Sequence, residues 1–247
     1  MADERPDMPT PPGRKPRRAA PPRQPLSQEA IVATAIRVLD AEGLDAVTMR
    51  RVAQELGTGP ASLYAHVSGK QELRELMLDR VAAEIRLPAE VDPARWQEQL
   101  KELANEIRRV YTGHRDISKV SMGLIPTLPN VLAIGEAQLA LMRAGGVPPR
   151  IAALAVDTLG MFIDADAYED VVYTASLPAG EDPWEHFGRY IEEVRQYFKA
   201  LPVDRYPNIV SMVDELTVEG GDTRFEFGID ILIRGIASYV ERPGGTR

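Results

Sequence analysis

Residues 57–73 read "GTGPASLYAHVSGKQEL", and the architecture of the chain follows from how this stretch folds. Gly57 and Gly59 frame a tight turn, and Pro60 then opens a short third helix. Proline is at home there because the first N–H of a helix has no partner inside it. Leu63 and Val67 lie four apart and anchor one side of the segment. Tyr64 and His66 offer a hydroxyl and an imidazole, and Lys70 stands at the start of the next helix. The leading face, Gly59–Ser62, carries only small side chains, which a helix needs to approach a DNA groove closely.

Working outward, Ser27 is placed to cap a first helix with an apolar stripe of Ile31, Ala35, Val38 and Leu39, stopped by Gly43. Thr48 caps a second, with Met49, Val52, Ala53 and Leu56 at i, i+3, i+4 and i+7. Two short helices joined by a glycine-containing turn make a helix-turn-helix. A fourth helix is expected over 69–86, carrying Leu73, Leu76, Met77 and Val81. In this arrangement Thr48, Tyr64, His66 and Lys70 suit phosphate oxygens. Arg50 suits a guanine edge, and Pro60 and Ala61 suit thymine methyls. Each feature alone is commonplace: a packed tyrosine, a surface histidine, a solvated lysine, a turn. Their common register is what points to DNA.

The rest of the chain reads as all-α. Helices are expected at about 94–112, 127–145, 148–173, 183–200, 206–217 and 222–241, separated by turn-forming breaks such as "TGHRD" and "EGGD". The expected organisation is an arm over 1–26, a DNA-binding domain over 27–72, a ligand-binding and dimerisation domain over 73–241 and a tail over 242–247. The arm is proline-rich, with six basic residues against three acidic ones, too polar to fold alone. Its "GRKPRR" suits either a narrow minor groove or nonspecific phosphate contact. Net charge is −8, which argues against a protein that coats nucleic acid generally but not against a local DNA site.

With no cysteine, disulfide scaffolds, thiol nucleophiles and cysteine-ligated metals are excluded. No secretory leader is apparent, and no apolar run reaches the roughly 18–20 residues of a membrane span, so a cytoplasmic protein is expected. The histidines, His66, His114 and His186, show no metallohydrolase spacing, and no nucleophile elbow or phosphate loop appears. No enzyme is expected. The acids Asp164, Asp166, Glu169 and Asp170 read as a solvated or dimer-edge face.

Residues 27–80, above all "AIRVLDAEGLDAVTMRRVAQELGTGPASLYAHVSGKQEL", resemble the DNA-binding domain of the TetR family of bacterial transcriptional regulators. The threonine cap, "VAxxLG", "LYxH" and the following lysine all match the family pattern. Further on, "YTGHRDISKVSMG", "EAQLALMRAGGV" and "FEFGIDILIRGI" resemble the ligand-binding and dimerisation domain of tetracycline repressors. The resemblance implies a homodimeric repressor of a palindromic operator, released by a small-molecule effector. It puts Thr48, Tyr64, His66 and Lys70 on phosphates, and Arg50, Gly59, Pro60 and Ala61 facing bases. Gly59 and Ala65 stand where a tetracycline repressor has larger side chains, which implies a different operator.

Ser121 stands where a tetracycline repressor has its magnesium-binding histidine, while Leu103 and Ile107 stand at drug-contact positions. Gln138 keeps the family's amide and Asp164 an acid. No metal, no cofactor and a different ligand are therefore expected. The effector-pocket candidates are Leu103, Ile107, Met122, Met142 and Phe162, together with Leu139 and Leu159, and Gln138 as polar handle. For dimerisation, the last helix offers Phe225, Ile229, Leu232, Ile233 and Ile236, with Gly228 and Gly235 for close approach. The helix from Pro149 offers Ile151, Leu154, Ala155, Leu159 and Phe162. The same stripes suit the monomer's own core equally well. The alternative to a repressor is a helical small-molecule-binding or enzymatic protein that has lost DNA binding.

Overall fold

Local capping sets the first elements. Ser27 Oγ accepts the Ala30 N–H at 3.2 Å, and the chain leaves that helix through Gly43 at φ 87. That glycine is required twice over. A side chain would be strained at positive φ, and its Cβ would meet Asp116 Oδ2 at 3.0 Å.

The computed structural model describes residues 26–122, 124–175, 182–217 and 221–240. Those residues form twelve helices and no strand: α1 (Gln28–Glu42), α2 (Met49–Glu55), α3 (Pro60–Leu63), α4 (Lys70–Ala82), α5 (Trp96–Thr112), α6 (Ile117–Ser121), α7 (Pro129–Ala144), α8 (Pro149–Ala175), α9 (Pro183–Lys199), α10 (Pro207–Ser211), α11 (Val213–Leu216) and α12 (Gly221–Ala237). The chain is all-α, as the periodicity implied.

Several boundaries differ, each for a local reason. α3 stops at Leu63 because the N–H groups of His66 and Val67 both turn back to the Leu63 carbonyl. Tyr64 is therefore the C-cap, and His66 lies in the turn beyond. α4 ends at Ala82 instead of 86, with Glu84 and Ile85 donating to Val81 and Ala82 in a tightened last turn. The "TGHRD" break is followed by an unforeseen helix, α6, entered through Asp116 in the left-handed region at φ 60. Met212, at φ −114 and ψ 23, splits the expected 206–217 helix into α10 and α11. Leu26, assigned to the arm, packs against the core. Residues 1–25 and 241–247 lie outside the described residues.

The head, α1–α3 with the start of α4, closes over Ile31, Ala35, Leu39, Val47, Val52, Leu63 and Leu73. The bundle is led by α5, whose buried Trp96, Leu100, Leu103, Ala104, Ile107, Val110 and Tyr111 recur at helical spacing. α7, α8 and α12 pack on it, and α4 runs from the head into contact with α5, α6 and α7.

The monomer's own core claims most of the stripe expected at a dimer face. Phe225, Ile229, Ile233 and Ile236 are all buried inside the chain. Gly228, expected to admit a partner, admits Phe162 of the same chain instead: a Cβ there would lie 2.4 Å from Phe162 Cζ. Of the expected stripes Leu154 on α8 stays exposed, and it is joined by three residues outside them, Met161 on α8 and Phe227 and Ile231 on α12.

Candidate DNA-binding face and effector core

Thr48 Oγ1 accepts the Arg51 N–H at 3.1 Å and so caps α2. A hydroxyl also donates, and that proton remains available to a phosphate. The two arginines that follow are treated differently. Arg51 donates to Glu42 at 2.7 Å and to Glu55 at 2.8 Å, and these hydrogen bonds hold its guanidinium well above its ordinary pKa. It braces the turn between α1 and α2. Arg50 is exposed, and among the described residues it forms no hydrogen bond or ion pair.

Gly59, Pro60 and Ala61 are all exposed at the front of α3, with Leu63 fully buried behind them. Tyr64 is 55% exposed. His66 is half-buried, its carbonyl accepting from Gln28 Nε2 at 3.2 Å, which ties the end of the recognition segment to α1. Lys70 opens α4, exposed and without an ion pair among the described residues. Glu72 reaches back to the Ser68 N–H, and the hydrogen bonds at Ser68 hold its carboxyl below the usual range. All eight residues read as DNA contacts thus sit on or beside the α2–α3–α4 segment. Seven reach the surface without an internal partner for the side chain, and Thr48 keeps a free donor.

In the bundle the candidates divide. Leu103, Ile107, Gln138 and Met142 are buried on α5 and α7. Met122 is not brought to them: it is 50% exposed after α6. Phe162 faces α12, where its ring stacks on Phe225 with centroids 5.5 Å apart. An open cavity of about 780 Å³ runs beside the α4–α5 connection, lined by Arg86, Glu90, Arg95, Gln99, Leu103 and Glu106 among others. Leu103 is the one pocket candidate it reaches. Glu106 is gripped there by Arg109 and Arg86, whose hydrogen bonds hold its carboxyl far below the usual range.

Of the four acids of α8 expected on a solvated or dimer-edge face, two do not lie there, while Glu169 is exposed. Asp164 is 7% exposed and Asp166 is 8% exposed. Burial pushes Asp164 up to about 7, against the opposing hydrogen bond from Ser121. Ser121 also bonds Tyr111, whose hydroxyl is pushed up by burial and by the Asp164 charge. Asp166 points another way and takes Arg108 Nε at 2.5 Å. Glu169 pairs with Arg224, and the Asp170 side chain lies outside the described residues.

Sequence reasoning missed the joint between head and bundle. Asp116 Oδ2 accepts the Leu44 N–H at 2.9 Å, and Lys119 lies 2.9 Å from its other oxygen. Burial pushes Asp116 up, but the Leu44 and Lys119 bonds outweigh it and leave the carboxyl below its ordinary value. His114 sits beside it, Nδ1 at 3.1 Å from Asp40 and Nε2 at 3.3 Å from Glu84. Apart from Lys119, three residues on from Asp116, these partners are far apart in the chain, so no local pattern marks the joint.

Residues 31–77 match the family described as bacterial regulatory proteins, tetR family, and residues 87–240 match the tetracyclin repressor-like C-terminal domain. The transcriptional repressor DrrR1 of Streptomyces coeruleorubidus is 30% identical over 94% of this chain and 84% of its own. The class D tetracycline repressor of Escherichia coli is 29% identical over 90% of this chain and 96% of its own. Among solved structures, ActR of Streptomyces coelicolor in complex with actinorhodin has a TM-score of 0.80 at 39% identity. That match covers 89% of this chain and 99% of ActR.

Proposed function

The chain belongs to the tetR family of bacterial regulatory proteins, and from that premise we propose that it is a ligand-responsive cytoplasmic repressor, a homodimer on a palindromic operator. One observation carries the reading: Arg50, Tyr64 and Lys70 are exposed around α3 with no partner of their own, while neighbouring Arg51 is neutralised. Exposed cations that the fold leaves unpaired are available to phosphates and base edges. Thr48 and His66 complete the set, and Gly59, Pro60 and Ala61 let the groove come close.

Leu154, Met161, Phe227 and Ile231, exposed on adjacent helices, supply the dimer surface. Pairing sets the two recognition segments about 34–36 Å apart, one turn of DNA. Replacing Phe227 and Ile231 together by Glu is expected to give a monomer by sedimentation, with operator affinity down at least about a hundredfold as the second half-site is lost. A variant that stays dimeric rules this face out.

The effector enters from the cavity beside Leu103 and reaches the core of Leu103, Ile107, Gln138 and Met142. It is an apolar molecule with a polar group for the Gln138 amide, and actinorhodin, seen bound to ActR, is the first probe to try. It acts by preferring the dimer whose recognition segments are wrongly spaced. The test is a mobility shift on DNA flanking the chain's own gene, with and without actinorhodin and magnesium–tetracycline. A retarded band that actinorhodin dissolves is the expected result, and no band on any flanking fragment would overturn the reading.

A further inference from the structure

We propose that Asp79 couples the effector core to the DNA-binding head by capping α7 from α4, an inference that rests on the repressor reading above. α7 has no capping side chain of its own. Its N-cap is Leu128 and its first residue is Pro129, so the free N–H groups of its first turn need an acceptor from elsewhere. Asp79, in the second half of α4, provides it. Its Oδ1 accepts the N–H of Asn130 at 2.8 Å and of Val131 at 3.2 Å, and its Oδ2 accepts Asn130 Nδ2 at 2.8 Å.

A carboxylate in this position is favoured by the hydrogen bonds and by the aligned peptide dipoles of α7. Three donors on two oxygens also fix direction: α4 cannot rotate or slide past α7 without breaking bonds. Glu75 and Leu78 of α4, with Leu124, Ile125 and Val131, border a void of about 30 Å³ beside the link. The Asp79 bonds add direction to a contact between the two helices that is otherwise largely apolar.

The ends of these two helices are the two functional regions. α4 begins at Lys70, on the DNA face, and α7 carries Gln138 and Met142, in the effector core. A ligand that shifts α7 moves the acceptor's partners, and α4 either follows or loses the bonds. Coupling between sites is reciprocal, so operator binding must in turn change how firmly the first turn of α7 is held. No effector is needed to see this.

The experiment is amide hydrogen exchange on the full-length protein, with and without the flanking DNA fragment, for wild type, Asp79→Ala and Asp79→Glu. DNA is expected to change exchange at Asn130 and Val131 several-fold in wild type. Asp79→Ala should speed exchange at those two amides about tenfold without DNA, leave the rest of the bundle as it was, and abolish the response to DNA. Asp79→Glu, which keeps a carboxylate, should restore part of it. A purely structural cap would slow exchange equally with and without DNA, and that outcome overturns the proposal. Should Asp79→Ala fail to fold, the wild-type comparison alone decides. Loss of the repressor reading is visible separately, as absence of any DNA band, and it would take this inference with it.

Discussion

Arg50 and Arg108 stand in opposite surroundings. Arg50, in the head, is exposed and has no partner among the described residues. Arg108, in the bundle, has a side chain only 15% exposed, bonded to Asp166 at 2.5 Å and Asp222 at 2.8 Å. It also lies over the Phe225 ring, 4.8 Å from the centroid. The head leaves Arg50 and Lys70 exposed and unpaired among the described residues, which suits the polyanion of the proposed function. Inside the bundle a buried charge must find a partner or give up its charge, since an unpaired ion away from water is costly. The same residue type is thus left unpaired at the surface in one region and locked into an internal network in the other.

The sharpest way to break that contrast is Arg108→Ala. Among the described residues it leaves the buried Asp166 carboxylate with only Arg224, 4.0 Å away, and removes the cover from Phe225, with an expected loss of about 3 kcal/mol in chemical denaturation. A change below about 1 kcal/mol would mean that the bundle does not depend on internal pairing.

Asp164 tests the same principle through pH. Its folded value, about 7, lies above the unfolded value of about 3.9. The folded state therefore holds the proton more tightly. Its stabilising contribution is full below pH ~4 and is lost as pH rises through ~7. Asp164→Asn cannot ionise, so its stability should be flatter between pH 5 and 8. Above pH ~7 it should exceed wild type by up to about 4 kcal/mol. Parallel profiles for the two proteins would show that burial of this acid has no energetic consequence.

In the head the expectation reverses. Arg50→Ala should move stability by less than about 0.5 kcal/mol and cost operator binding about 1–3 kcal/mol, relaxing preference at one base pair. Lys70→Ala should weaken all sequences alike and lower the salt slope by about one per protomer. Loss of fold instead of affinity in either variant would erase the distinction between the two regions. The smallest effect belongs to the arm: removing residues 1–22 should weaken operator binding modestly and flatten its salt dependence. Unchanged titrations at low and high salt would remove the arm from DNA recognition.

The elements read correctly from the chain are those whose causes are local. Ser27 and Thr48 cap the helices expected of them, Pro60 opens α3, and Gly43 takes the positive φ that ends α1. A cap or a turn is decided within three or four residues, and so it is written in three or four letters. The readings that changed concern direction. α8 and α12 are apolar on more than one face, so periodicity alone marks both a core stripe and a partner stripe without saying which is which. Phe225 and Ile229 turned inward and Phe227 and Ile231 outward. Met122 lies outside the core as the C-cap of α6, an element the sequence pattern did not mark, and Asp164 and Asp166 entered it beside Ser121 and Arg108.

From the chain alone came the helical class, the helix-turn-helix and the small-faced α3, since hydrogen-bond capping and side-chain period act over neighbouring residues. The tertiary structure alone decided which apolar faces close the monomer, which acids are buried, how Asp116 and His114 fasten bundle to head and how Asp79 ties α4 to α7. Those outcomes depend on pairs such as Leu44 with Asp116 and Asp79 with Asn130, whose meeting is a consequence of packing and has no signature in either residue's neighbours.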